Sequence, residues 1–190
     1  MILYVIIGVL LSWVVLTFWV QYAGKEKIEY IGSRNFIKNA LIVYNPDPIY
    51  NLDEQVCKGF AEGLLEHGIS SKVVSIKFAR ENKLHYDLYV FCVNTYNWAP
   101  DHQTLELIKH YPGLENKNVV AITVGSGSTS RAKRKLEETI KSRNAHLMDS
   151  KTYWLLRPND ENRMKEKNNL VAVDMAKQFG RAIGEQIILN

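Results

Sequence analysis

The sequence predicts an α/β domain built on an open parallel sheet and preceded by one transmembrane helix. From residue 40 onward, short apolar runs alternate with amphipathic stretches, and a long run near the N-terminus carries no charge. Strands that alternate with helices favour right-handed βαβ units, in which helices cover both faces of a parallel sheet. The 190 residues suffice for one ordinary domain and a short appendage.

The uncharged run extends from Ile2 to Val20, and as a helix it would span roughly 28 Å, close to the hydrocarbon thickness of a bilayer. Trp19 and Tyr22 stand at its C-terminal end, where aromatic rings prefer the headgroup region. We therefore expect an anchor over residues 1–22.

Two alternatives to an anchor are a cleaved signal peptide and a buried core helix. No Lys or Arg precedes the apolar run, and Gln21 before Ala23 is a poor cleavage pattern. The terminal position and unbroken apolarity argue against a core helix, so the sequence favours the uncleaved anchor.

Positive charges follow the span, at Lys25, Lys27, Arg34 and Lys38. The positive-inside rule then places the N-terminus outside and the rest of the chain in the cytoplasm of a single-pass cell-membrane protein.

Residues 23–39 are polar and mixed in charge, which predicts a juxtamembrane linker before a domain over 40–190. Apolar patterning predicts strands at 40–44, 72–76, 88–93, 119–124 and, from a weaker pattern, within 145–156. Helices are expected at 53–67, 101–111, 131–143 and 170–189. We expect Asp53 to cap the first of these helices, and Gly59 and Gly63 to let it pack closely on the sheet.

Several segments resemble the flavodoxin family in order and spacing: ALIVY, QVCKGFAEGLLEHG, HYDLYVFCVNTYNWAP, KNVVAITVGSGS and AKQFGRAIGEQI. The resemblance covers nearly everything after Ala40. It implies a five-stranded parallel sheet in the order 2-1-3-4-5, with helices on both faces. It also implies flavin mononucleotide (FMN) as the cofactor, with electron transfer or reduction of quinone-like substrates as the activity.

Ligands of such sheets bind at the carboxyl ends of the strands. Three segments should meet there: loop 1 (45–52), loop 2 (94–100) and loop 3 (125–130). The resemblance implies that the cofactor-binding residues are Asn45, Asp47, Tyr50, Asn51, Asn94, Thr95, Tyr96, Asn97, Trp98, Gly125, Ser126, Gly127 and Ser128. In loop 2 an aromatic side chain, Tyr96 or Trp98, would stack on the flavin, or else these residues would pack on the sheet edge or on a partner. In loop 3 the glycines would approach the ligand, or the loop would simply lead into a helix capped by Ser128 or Thr129.

Loop 1 departs from the family pattern, which uses Ser, Thr and Gly to cradle the flavin phosphate. Here the loop has none of these residues, and Pro46 and Pro48 lack amide donors. Asp47 and Asp53 would repel a phosphate dianion by roughly a few kcal/mol. FMN would then bind weakly, differently or not at all.

The formal net charge is +4, whereas flavodoxins that carry electrons are typically acidic. The densest basic cluster, at Arg131 and 133–135, fits either a solvated helix face or a contact with anionic lipid or an acidic partner. No interleaving of aromatic and basic residues suggests a nucleic-acid partner, and no histidine spacing predicts a metal site.

Two functions from different classes remain. One is a membrane-tethered flavoprotein that passes electrons to a redox partner protein or a quinone-like acceptor. The other is a flavodoxin-like accessory subunit without FMN. An enzyme that uses another small ligand in the same cleft is a third, for which the sequence names no catalytic residue.

Overall fold

The computed structural model describes residues 2–22, 24–33, 38–82 and 85–189. Within these ranges the helices are α1 (Ile2–Val20), α2 (Leu52–Leu65), α3 (Ile76–Glu81), α4 (His102–His110), α5 (Ser130–Lys141) and α6 (Asn168–Leu189). The strands are β1 (Ile28–Ile31), β2 (Lys38–Tyr44), β3 (Ile69–Ser75), β4 (Leu88–Tyr96), β5 (Ala99–Pro100), β6 (Asn118–Gly125) and β7 (His146–Trp154).

The strands form one sheet in the order β1-β3-β2-β4-β6-β7. Strands β3, β2, β4, β6 and β7 run parallel, and they correspond to the expected order 2-1-3-4-5. Two strands extend this pattern: β1 pairs antiparallel with β3 at one edge, and β5 forms a short hairpin with β4. The predicted fold class is therefore confirmed, with two additional strands.

Strand β1 lies inside the segment where the sequence predicts a linker. Its IEYI sequence pairs from Ile28↔Val74 to Ile31↔Ser71, along the open edge of β3. Four residues are too few to stand out as a strand in the sequence, and their pairing partners lie 40 to 46 residues further along the chain. Residues 34–37, which include the flanking Arg34, lie outside the described residues.

The strand expected at 72–76 runs from Ile69 to Ser75, because Ser70 and Ser71 belong to it despite their polarity and Ile76 begins the next helix. Helix α3 follows it at once and has no counterpart among the expected helices. The weak pattern within 145–156 does form a strand, β7, which completes the parallel sheet.

The two faces of the sheet are covered by separate helices. Alternate residues of β2 point to opposite faces: Ile42 joins the core beneath α2 and α6, while Val43 joins the core beneath α3, α4 and α5. Both side chains are fully buried. This double cover explains the continuous apolar runs of the central strands.

Gly59 and Gly63 do pack closely, but against α6 and not against the sheet. A Cβ atom at Gly59 would lie 2.7 Å from the Val173 carbonyl oxygen, and one at Gly63 would collide with the Lys177 carbonyl. Gly180 makes the reciprocal approach from α6 to the Phe60 carbonyl. The sequence predicted a close contact correctly and its partner wrongly.

Helix α1 is long and apolar enough to cross a membrane. Its described side chains are exposed apart from Thr17, which is half-buried. Its C-terminal end touches the domain: the Gln21 carbonyl accepts a hydrogen bond from Asn45 Nδ2 (3.2 Å), and Gln21 Oε1 accepts one from the His102 amide (3.1 Å). The helix therefore meets the domain at the edge where the carboxyl ends of the parallel strands lie, which we call the carboxyl edge.

Candidate functional site

A cleft of about 240 Å³ opens at the carboxyl edge. It lies between loops 1, 2 and 3 and the C-terminal half of α1. The predicted site residues that line it are Asp47, Tyr50, Asn94, Thr95, Tyr96, Asn97, Gly125 and Ser126. The topology thus brings residues from all three loops to one cleft.

Five predicted site residues do not line this cleft. Asn45 is buried beneath it, and Asn51 is the exposed N-cap of α2, with a left-handed φ of 51°. Trp98 is 63% exposed at the tip of the β4–β5 hairpin. Gly127 and Ser128 belong to the start of the connection into α5.

Sequence reasoning missed seven residues of the cleft: Trp13, Leu16, Thr17, Ile49, Leu52, Val124 and Leu155. The first three belong to α1, and the Thr17 hydroxyl accepts a hydrogen bond from Asn97 Nδ2 (3.3 Å). The apolar run gave no sign of this role, because uniform hydrophobicity does not reveal which face of a helix meets the protein.

Loop 1 folds around the carboxylate of Asp47. Asp47 Oδ1 accepts hydrogen bonds from the backbone amides of Ile49 (2.7 Å) and Tyr50 (2.9 Å). Asp47 Oδ2 accepts a third from the Tyr96 hydroxyl (2.7 Å), which links loop 1 to loop 2. The backbone amides at the tip of the loop are therefore already bound to a carboxylate of the protein itself.

The carboxylate of Asp53 has a related role one layer deeper. It accepts from the amides of Asp47 (2.9 Å) and Glu54 (2.8 Å) and from Asn94 Nδ2 (2.9 Å). The expectation that Asp53 caps α2 is wrong, because Asn51 occupies the N-cap position and Asp53 is turned into the interior. Burial raises the pKa of Asp53 to about 6, although its hydrogen bonds favour the charged form.

Asp101 completes this buried polar layer. Its Oδ1 atom caps α4 by accepting from the Thr104 amide (2.9 Å), and it also accepts from Asn45 Nδ2 (3.3 Å). Burial raises the pKa of Asp101 to about 6 as well. Among the described residues, Asp101 Oδ2 and Asn45 Oδ1 have no hydrogen-bond partner. Ionisation of the Asp101 carboxyl group therefore lowers the stability of the folded protein.

No protein-family model matches the sequence, and no curated protein sequence matches it. Solved structures do match. A flavodoxin from the domain Archaea has a TM-score of 0.61 at 11% identity, over 78% of this chain and 98% of that one. A flavodoxin, WrbA-like protein from Agrobacterium tumefaciens has a TM-score of 0.59 at 12% identity, over 80% and 98%. This chain has a flavodoxin fold.

The same fold forms part of a larger protein, rubredoxin oxygen:oxidoreductase from Desulfovibrio gigas. That match has a TM-score of 0.61 at 15% identity, over 80% of this chain and 36% of that one. At these identities the likeness concerns the fold of the flavodoxin-like domain alone. Which ligand the cleft can bind depends on the residues that line it in this chain.

In the flavodoxin-like domain, loop 1 does not fit the phosphate of FMN. The amides of Ile49 and Tyr50 are bound to Asp47, and Pro46 and Pro48 have no amide hydrogen. A phosphate about 4 Å from a carboxylate would meet a repulsion of about 4 kcal/mol per pair of unit charges near a protein surface. The dianion would have to displace Asp47 from its own loop.

The opposite half of the cleft is lined by two aromatic residues, Tyr96 and Trp13, and by other residues of loops 2 and 3. Such walls suit planar ligands, because aromatic faces stack and backbone groups hydrogen-bond at the ring edge.

Gly125 has a protein partner in this half of the cleft. A Cβ atom there would lie 2.9 Å from Thr95 Cβ and 2.8 Å from Thr129 Cγ2, so the glycine lets loop 3 close on loop 2. Thr129 is the N-cap of α5, as one of the two expected alternatives, and its hydroxyl accepts from Trp154 Nε1 (2.9 Å). Loop 3 is thereby held in place by packing that needs no ligand.

Proposed function

We propose that this protein is a membrane-anchored, flavodoxin-like electron carrier or reductase component that holds the ring of a flavin, FMN by family resemblance, at its carboxyl edge. The cleft carries this proposal, because its walls from loops 2 and 3 and from Trp13 suit a planar ring. A bound flavin would supply one- and two-electron chemistry, and the protein would supply its position and surroundings. The redox proteins that share the fold support this choice.

The anchored state is supported by the contacts of Gln21. The residue stands directly after the apolar run, and it binds both the buried Asn45 side chain and the first amide of α4. Removal of α1 as a signal peptide near this point would take away a wall of the cleft and these two contacts. The positive charges at Lys25 and Lys27 favour a cytoplasmic domain.

Anchoring beside a membrane restricts the choice of partner. A domain tethered at the bilayer surface meets membrane-bound proteins and quinone-like acceptors at a raised effective concentration. Because Trp13, Leu16 and Thr17 of the apolar helix line the cleft, its ligand would lie against the apolar layer of the membrane, which quinone-like acceptors can reach.

A second candidate is an accessory subunit that holds no flavin, and the Asp47 carboxylate favours it. The structure of loop 1 is complete without a phosphate, since three donors already bind this side chain. The domain would then serve as a rigid binding module at the membrane.

The absorption spectrum of the full-length protein, purified in detergent, separates the two candidates. A stoichiometric flavin band, or uptake of FMN or riboflavin on titration, supports the electron carrier. A colourless protein that takes up neither compound supports the accessory subunit and overturns the carrier.

Orientation is tested on sealed inside-out and right-side-out membrane vesicles. We expect added protease to digest the domain in inside-out vesicles and to leave it intact in right-side-out ones. The reverse pattern would show that the domain faces outward. Release of the protein by alkaline carbonate would show that α1 does not anchor it.

A further inference from the structure

A second cavity, of about 630 Å³, lies on the other side of loop 2 from the cleft. Its walls come from the β4–β5 hairpin, from the first turns of α4 and α5, and from Gln21 at the end of α1. Nothing in the proposed electron transfer uses it. We call it the basic cavity, after Arg131, Arg134 and Lys135, which line one side.

The basic cavity carries charge that the protein does not neutralise. Three cations face one carboxylate, Glu138, which lies 3.9 Å from Lys135. Within the described part of the chain, neither Arg131 nor Arg134 forms an ion pair or a hydrogen bond with a side chain or a carbonyl group. All three cations are exposed. Their free guanidinium groups can bind phosphate oxygens in a bidentate manner.

The position of the basic cavity relative to α1 points to the ligand. Gln21 lines the cavity and follows the apolar run directly, and its side chain holds the first amide of α4. Asn97, another wall residue, binds Thr17 one turn earlier in α1. If α1 spans a bilayer, the mouth of the cavity lies at the depth of the lipid headgroups.

Trp98, at the tip of the hairpin beside the cavity, is an independent sign of a membrane surface. It has a left-handed φ of 62°, which is an unfavourable conformation for a bulky residue, and it is 63% exposed. Glycine would fit this turn position better. The neighbouring Asn97 binds Thr17 of α1, so the hairpin tip lies beside the end of the apolar helix, and exposed aromatic rings favour the membrane interface.

We propose that the basic cavity binds the phosphate-bearing headgroup of an anionic phospholipid while Trp98 rests in the interfacial layer. This rests on the anchoring of α1 in the proposed function, but not on the flavin. Binding would fix the domain against the bilayer with its carboxyl edge facing the headgroups. It would add to the contacts by which Thr17 and Gln21 already hold the end of α1 against the domain.

The experiment measures lipid retention by the full-length protein in detergent, using native mass spectrometry with phosphatidylglycerol and phosphatidylcholine. We expect phosphatidylglycerol to be retained in preference, and the double variant R131Q/R134Q to lower its affinity about thirty-fold, since each cation near an anionic surface contributes about fivefold. The variant R131K/R134K keeps both charges but not the bidentate geometry, so it should lose less affinity than R131Q/R134Q.

The control variant K117Q/K141Q removes two charges at the opposite edge of the sheet. Lys117 precedes β6, and Lys141 ends α5, so neither lies near the cavity. We expect it to retain phosphatidylglycerol as the parent protein does. Equal loss in both double variants would reduce the effect to net charge and overturn the proposal.

Two further results would overturn it. One is equal retention of both lipids by the parent protein. The other is competition by inorganic phosphate at the same concentration, which would assign the cavity to a soluble anion. Carbonate extraction of the same samples keeps the two proposals apart: R131Q/R134Q should stay in the membrane, whereas loss of the parent protein from the membrane would count against the anchor itself.

Discussion

The two halves of the cleft differ in what they leave open for a ligand. In loop 1 the carboxylates of Asp47 and Asp53 already accept from the backbone amides that an incoming anion would need. On the side of loops 2 and 3 the cleft is lined by Tyr96, Gly125 and Ser126, and Trp13 of α1 lines it as well. The fold is shared with flavodoxins, but this chain has completed one half of the site with its own side chains.

This difference teaches that the two halves of the cleft are held together by separate contacts. The packing of loops 2 and 3 depends on contacts such as Gly125 with Thr95, which would persist without a ligand. The amides of loop 1 need an acceptor in any state, and Asp47 provides it. A ligand without a phosphate would meet only the open half.

The largest expected effect comes from Asp47→Ser. Removing the carboxylate frees two amides and abolishes the repulsion, so we expect FMN affinity to rise by up to about 10³-fold, which corresponds to about 4 kcal/mol. Riboflavin affinity should change little, because riboflavin has no phosphate. Fluorescence titration with both compounds provides the measurement.

Glu115→Gln is the matched control for Asp47→Ser, since it removes one negative charge at the far edge of the sheet. FMN affinity should stay at the parental value. If Asp47→Ser raised riboflavin affinity as strongly as FMN affinity, the separation of the cleft into two halves would be wrong.

The next effect concerns the buried layer beneath the cleft. Because the folded-state pKa of Asp101 is raised from 3.8 to about 6, its contribution to stability is fully present below pH 4 and is lost as the pH rises through about 6. At pH 8 the buried charge costs about 3 kcal/mol. Asp101→Asn, which can still cap α4, should therefore lose less stability between pH 4 and pH 8 than the parent protein.

Urea unfolding in detergent at several pH values checks this expectation. Asp53 also has a raised pKa, so the free energy of unfolding of Asp101→Asn should still fall between pH 4 and pH 8, but by less than in the parent protein. Asp160→Asn changes a capping aspartate elsewhere, at the 3₁₀ turn Glu161–Arg163. If Asp101→Asn lost as much stability between pH 4 and pH 8 as the parent protein, the raised pKa would not belong to Asp101. If Asp160→Asn reduced this loss as strongly as Asp101→Asn, the effect would not be specific to the buried layer.

Loop 3 offers a matched pair of glycines. Gly125→Ala would force a Cβ atom against Thr95 and Thr129, so we expect a loss of about 2 kcal/mol in the free energy of unfolding. Gly127→Ala meets nothing within 4 Å and should change it by less than about 0.5 kcal/mol. Equal effects would show that loop 3 is not held by packing against loop 2.

The smallest effect is a gain. Trp98→Gly should relieve the left-handed conformation and raise the free energy of unfolding in detergent by about 1 kcal/mol. Asn144→Gly is the control, because asparagine tolerates its φ of 53° and should yield only a few tenths of a kcal/mol. A loss of stability in Trp98→Gly would show that the indole group packs on the protein and is not kept exposed for contact with a membrane.

The order of the parallel strands could be foreseen because doubly covered strands leave continuous apolar runs and the helices between them have their own period. The position of the cleft could also be foreseen, since carboxyl ends of parallel strands share one edge. Strand β1 could not, because four alternating residues become a strand only when β3 offers its edge.

The site residues divide in the same way. Tyr96 and Gly125 line the cleft because their loops follow directly from β4 and β6. Trp13 and Thr17 were not predicted, since their place in the cleft depends on how α1 docks, and the hydrogen bond of Thr17 with Asn97 joins residues eighty positions apart.

The sequence by itself determined the apolar N-terminal helix, the α/β alternation and the unusual composition of loop 1, because each depends on residues that are adjacent in the sequence. Only the tertiary structure decided what those features do together. In the folded protein, Asp53 is buried, the carboxylate of Asp47 binds the amides of its own loop, and the end of α1 lines the cleft. Hydrophobic periodicity is a local property, whereas hydrogen-bond partners and cavity walls come from residues that only the folded chain brings together.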